Sequence, residues 1–131
     1  MFVEFFNPRG ERILVRAEAV CLIGGSRFTG RIRDPQRSYL CGSGLRGIEV
    51  VGEPSATRLR LGGEWVHLYR RSQTVYVRPE RIAWIYPSPK GTALRLATLG
   101  MMLCDEPYHQ IMEKLNAGEP ASTPRPQDLT R

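Results

Sequence analysis

Short apolar runs alternate with turn-forming residues along most of the chain. Residues 2–6 and 13–15 are apolar runs, and the segment between them contains Asn7-Pro8-Arg9-Gly10, which is typical of a turn. This arrangement predicts a β-hairpin, and the next apolar run, residues 19–23, predicts a third strand. Further strands are predicted at residues 57–61, 65–69, 75–77, 82–86 and 92–96.

Polar and apolar positions alternate strictly in residues 57–61. In a strand with this pattern Leu59 and Leu61 lie on one face, and Arg58 and Arg60 lie on the other. We therefore expect a half-buried strand here, which Gly62-Gly63 turns into the strand that follows.

One helix is predicted, near the end of the chain. Its apolar residues fall at positions i, i+3, i+4 and i+7, acidic residues precede it, and Gly118 suits its C-terminal cap. The apolar residues are Tyr108, Ile111, Met112 and Leu115. Residues 119–131 are rich in proline and polar side chains, so they predict a flexible tail.

The two halves of the chain resemble each other. FVEFFNPRGERILVRAEAVCLIG, which starts at Phe2, aligns with WVHLYRRSQTVYVRPERIAWIY, which starts at Trp65, once one gap is allowed after Thr74. TRLRLGG from Thr57 likewise resembles TALRLATLG from Thr92. These similarities indicate a degenerate internal duplication, with units at residues 2–69 and 65–117, and chance similarity between β-rich segments is the alternative.

The predicted fold is mainly β, with one C-terminal helix. We expect an antiparallel sheet or a small barrel built from the two strand units, in a single domain at residues 1–118. Residues 24–52 hold seven glycines and five arginines, and we interpret them as an insertion that the second unit lacks. Within it, residues 28–33 and 38–41 predict an extra hairpin.

The second unit reads VYVRPERIAWIYPSPKGTALRLATLGMMLCDEPYHQIMEKLN. It has an Arg78-Pro79-Glu80 turn, an isoleucine-containing strand, a Thr-x-Leu-x-Leu strand from Thr92, the acidic pair Asp105-Glu106 and a final helix. In these features it resembles the small flagellar FlbD-type proteins and related short β-rich chains of bacteria and phages. The resemblance implies the fold and hardly any chemistry. The family is usually a single short unit, so the first copy and the insertion depart from it.

Charge favours an anionic partner. Seventeen arginines and two lysines outnumber thirteen acidic residues, which gives a net charge of +6. The planar guanidinium group of arginine pairs with phosphate or carboxylate at two points. A GC-rich genome produces the same bias without any function. No apolar stretch is long enough to span a bilayer and no secretory signal opens the chain, so we expect no membrane contact and a cytoplasmic protein.

The candidate site lies in the arginine-rich insertion, where guanidinium groups and aromatic rings suit phosphate binding and base stacking. Its predicted ligand-binding residues are Arg27, Phe28, Arg31, Arg33, Arg37, Tyr39 and Arg46. Nearby, Gly42, Gly44 and Gly47 spell G-x-G-x-x-G, but residues 48–51 read as a strand where a dinucleotide fold needs a helix. We favour a hairpin tip over a phosphate cradle here, and a solvated arginine surface is the alternative for the whole site.

The sequence predicts neither catalysis nor a cofactor. His67 and His109 have no nucleophile or carboxylate partner in a known motif, so we expect no enzyme. The three cysteines follow neither a disulfide framework nor a zinc spacing, so we expect buried free thiols and no metal. They are Cys21, Cys41 and Cys104.

Our leading hypothesis is a non-enzymatic, homo-oligomeric binding protein for a phosphate-bearing ligand. The ligand is a nucleotide-type small molecule, as in a phage-type sponge for a nucleotide signal, or a strand of RNA or DNA. The alternative is a structural or regulatory module of FlbD type that contacts protein partners through sheet edges and aromatic side chains. Those aromatic residues are Trp65, Tyr69, Trp84 and Tyr86, which would otherwise belong to the core.

Overall fold

The computed structural model describes residues 1–25, 36–71 and 73–116. These residues form ten strands and two helices, and each strand pairing among them is antiparallel. The mainly β fold with a C-terminal helix is therefore confirmed. The strands form three open sheets, so of the two predicted arrangements the antiparallel sheet is the one observed.

The described residues of the first half, 1–25 and 36–61, form five strands and one helix. In order they are β1 (Phe2–Phe6), β2 (Arg12–Arg16), a 3₁₀ turn (Ala17–Ala19), β3 (Val20–Gly25), β4 (Arg37–Gly42), β5 (Leu45–Val51) and α1 (Pro54–Leu61). The turn between β1 and β2 is closed by Asn7, whose Oδ1 accepts hydrogen bonds from the backbone N–H groups of Arg9 at 3.0 Å and Glu11 at 2.8 Å. An asparagine that bonds to the backbone two residues later stabilises such a turn, as the sequence predicted.

The second half repeats this order of elements. It contains β6 (Val66–Arg70), β7 (Gln73–Val77), a 3₁₀ turn (Pro79–Arg81), β8 (Ile82–Ser88), β9 (Gly91–Leu96), β10 (Gly100–Cys104) and α2 (Tyr108–Asn116). In its described residues, each half is thus a hairpin, a 3₁₀ turn, three strands and a helix. An irregularity in pairing also falls at the same place in both halves, between Val20 and Leu22 in β3 and between Ile82 and Trp84 in β8.

The hairpin of the second half extends the sheet of the first. The largest sheet has the strand order β5-β4-β3-β7-β6, the second has the order β10-β9-β8, and β1 and β2 form a sheet of their own. Leu22 of β3 lies opposite Val77 of β7, and Ile23 lies opposite Tyr76. This pairing of β3 with β7 joins the two halves.

Two apolar clusters fill the interior. In the first, Phe5 and Val15 on the inner face of the β1–β2 hairpin pack with Ile23, Leu40 and Leu61. The second belongs mainly to the later strands and also contains Leu22 from β3. Its buried residues are Leu22, Val66, Leu68, Val75, Val77, Leu94, Leu96, Met102, Cys104 and Ile111. β6, β7 and β9 contribute alternate residues to the second cluster, because successive side chains point to opposite faces of a sheet.

The strand predicted at residues 57–61 is wrong, because these residues lie in α1. Pro54 occupies the first turn of the helix, where its missing N–H costs nothing. Thr57 and Leu61, four residues apart, are buried on one face, whereas Leu59 is 70% exposed. An alternating pattern of polar and apolar residues over only five positions is also compatible with a helix in which just Thr57 and Leu61 are buried. The proposed equivalence of residues 57–61 with residues 92–96 therefore fails.

The proposed insertion also needs correction. Residues 37–51 form β4 and β5, and in the order of elements these strands take the places of β9 and β10 of the second half. β4 pairs with β3 and β5, so residues 38–41 belong to the main sheet. Residues 28–33, their predicted partner, lie outside the described residues, as do the tail at 119–131 and the end of the predicted domain.

A buried hydroxyl connects the sheet to the start of the helix in each half. Ser38 Oγ donates a hydrogen bond to the carbonyl of Gly52, and Thr92 Oγ1 donates one to the carbonyl of Glu106, both at 2.7 Å. Both hydroxyl side chains are fully buried. These equivalent bonds hold the backbone just before α1 and α2 against the second residue of β4 and β9.

The predicted C-terminal helix is confirmed as α2. Ile111 is fully buried, and Leu115 packs against the same apolar cluster. Lys114 forms an ion pair with the buried Glu106 and donates a hydrogen bond to the carbonyl of His67, which attaches α2 to β6. In the described part of the chain, neither helix has the length and apolarity to cross a membrane.

Candidate ligand-binding groove

The glycine-rich segment forms the tip of the β4–β5 hairpin. Gly44 and Gly47 have φ angles of +75° and +74°, which glycine adopts without strain. Gly42 lies so close to the backbone of Ala19 that a Cβ atom would meet the Ala19 carbonyl oxygen at 1.8 Å. The N–H of Ser43 donates to that same carbonyl at 2.9 Å, so it is already used within the chain. These contacts match the hairpin tip that the sequence favoured over a phosphate cradle.

A groove of about 680 Å³ runs between this tip and the β9–β10 turn. Tyr39, Cys41 and Arg46 line it from the first half, and Thr98 and Leu99 line it from the second. The groove therefore exists only because the two halves pack side by side.

A smaller, mainly apolar cavity of about 260 Å³ adjoins the groove and shares Tyr39, Cys41 and Leu99 with it. Leu22, Leu96 and Met102 line it, together with Arg70 and Met101. The two spaces together place an apolar lining beside an arginine-bearing hairpin tip.

Tyr39 occupies a position that glycine makes possible. A Cβ atom on Gly47 would lie 1.9 Å from the Tyr39 hydroxyl oxygen. The ring of Tyr39 therefore covers the backbone of β5 at a point where any larger residue would displace it. Gly47 thus shapes this wall of the groove in addition to turning the chain.

The predicted site residues fall into three groups. Arg27, Phe28, Arg31 and Arg33 lie outside the described residues. Tyr39 and Arg46 both line the groove. Arg37 lies two residues before Tyr39 in β4, and its Nη1 is 3.8 Å from Glu49 Oε1.

Sequence reasoning missed the residues that the second half contributes. Arg70, Thr98, Leu99 and Met101 lie in or beside the β6–β7 hairpin and the β9–β10 turn, far from the glycine-rich segment in sequence. No local pattern marks them, because only the packing of one half on the other brings them to the groove or to the cavity beside it.

Cys41 contributes apolar surface to the groove rather than a reactive thiolate. Burial raises the pKa of this thiol, so the neutral form is favoured at pH 7. Burial likewise raises the pKa of Cys104 to about 12. All three cysteines are free thiols, and Cys21 and Cys104 are buried.

Across residues 1–25, 36–71 and 73–116, the structure contains no group of three histidine, cysteine or carboxylate side chains that could hold a metal ion. His67 lies away from the groove, on the outer face of the β6–β7 hairpin. Its ring stacks on Tyr76 with a centroid distance of 5.3 Å, and its Nε2 is 3.2 Å from Thr74 Oγ1. Partial burial lowers the pKa of His67, and the positive charge of Lys114 lowers it further.

The four aromatic residues of the alternative hypothesis separate into two groups. Trp65 is partly buried, donates a hydrogen bond from Nε1 to the carbonyl of Gly62 at 2.9 Å and packs against the first apolar cluster. Tyr69, Trp84 and Tyr86 are exposed. Trp65 is thus a structural residue, and the other three remain accessible to a partner.

Comparison of the chain with protein-family models, with curated proteins and with solved structures finds no match. The resemblance to FlbD-type proteins therefore remains an expectation from sequence.

Proposed function

We propose that this chain is a non-enzymatic binding protein that holds a phosphate-bearing ligand of nucleotide type in the groove between the β4–β5 tip and the β9–β10 turn. One observation carries the proposal: the groove places an apolar lining directly beside Tyr39 and Arg46. A nucleotide has the same two parts, a planar base that prefers apolar and aromatic surfaces and a phosphate that prefers a guanidinium group.

In the proposed complex the base lies in the smaller cavity, on Leu22, Leu96 and Met102. The phosphate extends along the hairpin tip toward Arg46, which is exposed and can reorient to pair with it. The net charge of +6 supports the choice of an anionic ligand, because it raises the local concentration of anions around the protein.

No reaction is assigned to the groove. Burial raises the pKa of Cys41, so its thiol is a weak nucleophile at neutral pH. A ligand held without conversion is what a sponge for a nucleotide signal requires, and the same protein would then be expected to release its ligand chemically unchanged.

Native mass spectrometry of protein purified from its host tests for a retained small molecule. Calorimetric titration with ATP, AMP and a cyclic dinucleotide then measures affinity in solution. We expect Arg46→Ala to weaken nucleotide binding roughly tenfold to hundredfold, since a hydrogen bond to a charged group contributes about 1.5–3 kcal/mol. Arg9→Ala is the matched control, because Arg9 is an exposed arginine in the β1–β2 turn.

Two results would contradict the proposal: no detectable binding of any nucleotide by the wild-type protein at low salt, or equal losses in the Arg46 and Arg9 variants. A nucleic-acid strand is the second ligand with this chemistry. Binding of short single-stranded DNA with affinity that falls steeply with salt, in the absence of mononucleotide binding, would reassign the groove to nucleic acid.

A further inference from the structure

Two edge strands in the described part of the chain, β8 and β2, correspond to strands of the other half that have a neighbour on each side. The equivalent of β8 is β3, and the equivalent of β2 is β7. Among the described strands, β8 pairs with β9 alone, and β2 pairs with β1 alone. The free edge of a strand presents backbone N–H and C=O groups that another strand can pair with. Both edges are candidates for contact with a second molecule.

The pairing of β3 with β7, which we call the joint between the halves, shows how these two edges can pair. β3 has the same place in the first half as β8 has in the second, and β7 has the same place in the second half as β2 has in the first. β3 and β7 are paired, with Leu22 opposite Val77 and the N–H of Arg78 donating to the carbonyl of Cys21 at 3.0 Å. The equivalent joint, between β8 and β2, is not formed within the described part of the chain.

Side chains of β8 and β2 are more exposed than their equivalents in β3 and β7. This difference is expected, because β8 and β2 are not paired with each other in the described part of the chain. Leu22 in β3 is 5% exposed, whereas Trp84 at the equivalent position of β8 is 44% exposed. Tyr76 in β7 packs against the first apolar cluster, whereas its equivalent in β2, Leu14, is 64% exposed. Pairing with β7 accounts for the burial of β3, and among the described strands β8 lacks such a partner.

The exposed apolar surface continues beyond the edge of β8. The register of the second sheet places Met101 of β10 and Trp84 of β8 on either side of Arg95, and it places Leu103 and Tyr86 on either side of Ala93. Trp84, Tyr86, Met101 and Leu103 are all exposed. Neighbouring exposed apolar side chains on a sheet mark a contact surface. Here they flank the exposed Arg95 and the buried Ala93, and Leu22, the equivalent of Trp84 in the first half, packs in the second apolar cluster.

We infer that β8 of one copy of this chain pairs with β2 of a second copy, antiparallel, in the register that joins β3 to β7. Val15 then lies opposite Trp84, Leu14 lies opposite Ile85, and the exposed patch is covered by the first half of the second copy. The contact is head to tail, because it uses different surfaces on the two molecules. Since each copy carries both surfaces, repetition produces a closed ring or a filament.

Arg16 is oriented for this contact. Its guanidinium lies 4.5 Å from the centre of the Phe2 ring, as that of Arg78 lies 4.0 Å from the ring of Trp65. Arg78 donates to the carbonyls of Val20 and Ala17 across its joint. Arg16 is exposed in the single chain, and the equivalent acceptors for it in the second copy are the carbonyls of Ile82 and Pro79.

Cysteine cross-linking tests the register directly. Arg16 and Ala83 are both exposed, and they occupy the places of Arg78 and Cys21, so the inferred contact puts them opposite each other. We expect the oxidised Arg16→Cys, Ala83→Cys double variant to form disulfide-linked multimers, and an equimolar mixture of the two single variants to form a linked dimer. Arg12→Cys paired with Ala83→Cys is the control, since Arg12 lies four residues farther along β2 and out of reach.

Sedimentation velocity over a range of concentrations tests the association itself. We expect the wild-type chain to sediment as an oligomer, and Leu14→Asp to sediment as a monomer with an unchanged circular dichroism spectrum, because Leu14 is exposed in the single chain. Leu59→Asp is the matched control, an exposed leucine on α1 away from both surfaces, and it should remain oligomeric. A monomeric wild type, a Leu14→Asp oligomer, or a disulfide that joins positions 16 and 83 of the double variant within one chain would overturn the inference.

Discussion

The guanidinium of Arg78 lies over the indole ring of Trp65, 4.0 Å from the centre of the ring. Arg78 is 6% exposed, and it also donates hydrogen bonds to three backbone carbonyls, those of Val20, Gly62 and Ala17. Val20 is the first residue of β3, and Ala17 begins the 3₁₀ turn that precedes it, so Arg78 joins the halves where β7 meets β3. Burial lowers the pKa of this guanidinium, but an arginine stays charged at any physiological pH.

Replacement of Arg78 with alanine should therefore destabilise the fold by about 3 kcal/mol, because it leaves buried carbonyls without donors and removes the cation–π contact. Arg78→Lys should lose roughly half as much, since a lysine keeps the charge but cannot reach all three acceptors in a planar fork. Urea unfolding followed by circular dichroism measures both changes. Arg9→Ala, at an exposed turn position, should change the free energy of unfolding by less than about 0.5 kcal/mol. Equal effects at positions 78 and 9 would rule out the role assigned to Arg78.

The helical structure of residues 54–61 leads to a second prediction. In a strand Leu59 and Leu61 would be equivalent, whereas in α1 the first is exposed and the second is 2% exposed. Leu61→Ala should cost about 2–4 kcal/mol, because it opens a cavity in the first apolar cluster. Leu59→Ala should leave stability within about 0.5 kcal/mol of the wild type. Thermal melting of the two variants distinguishes the structures, and similar losses in both would indicate a strand.

Local pattern was sufficient for the elements that depend on local contacts. The β1–β2 hairpin followed from two apolar runs around Asn7-Pro8-Arg9-Gly10, and α2 followed from apolar residues at helical spacing. α1 was missed because its eight residues bury only Thr57 and Leu61, which leaves too few apolar positions to distinguish a helical period from an alternating one. The tertiary contact of Leu61 decides the structure there.

Only the groove residues from the first half of the chain could be predicted from the sequence. Tyr39 and Arg46 lie near the glycines of the β4–β5 tip, which the sequence marks clearly, and both line the groove. Leu99 reaches the groove, and Arg70 reaches the adjoining cavity, only because β7 pairs with β3, a contact between residues more than fifty positions apart. Which residues meet across such a joint depends on strand pairing and register, which periodicity does not encode.

The buried hydroxyl of Thr92 provides a third prediction. Thr92→Val keeps the shape of the side chain but removes the donor to the carbonyl of Glu106, which then lacks that bond in a buried site. We expect a loss of about 1–2 kcal/mol in the free energy of unfolding. Ser38→Ala removes the equivalent bond in the first half and should cost a similar amount. Ser43→Ala, at the exposed hairpin tip, serves as the control in the same urea titrations, and a loss there as large as at Thr92 would contradict the role of the buried bond.

His67 should make the stability of the fold depend on pH. Partial burial, with Lys114 as the second cause, lowers its pKa below the ordinary value of 6.5, so the unfolded chain binds a proton more readily than the folded one. The free energy of unfolding should therefore fall as the pH drops below about 6.5, since proton binding then favours the unfolded state. Urea titrations at about pH 8 and about pH 5 measure the change, and His67→Gln should reduce it. His109→Gln, on the exposed face of α2, is the control and should retain the wild-type dependence. An unchanged dependence in His67→Gln would contradict the role assigned to His67.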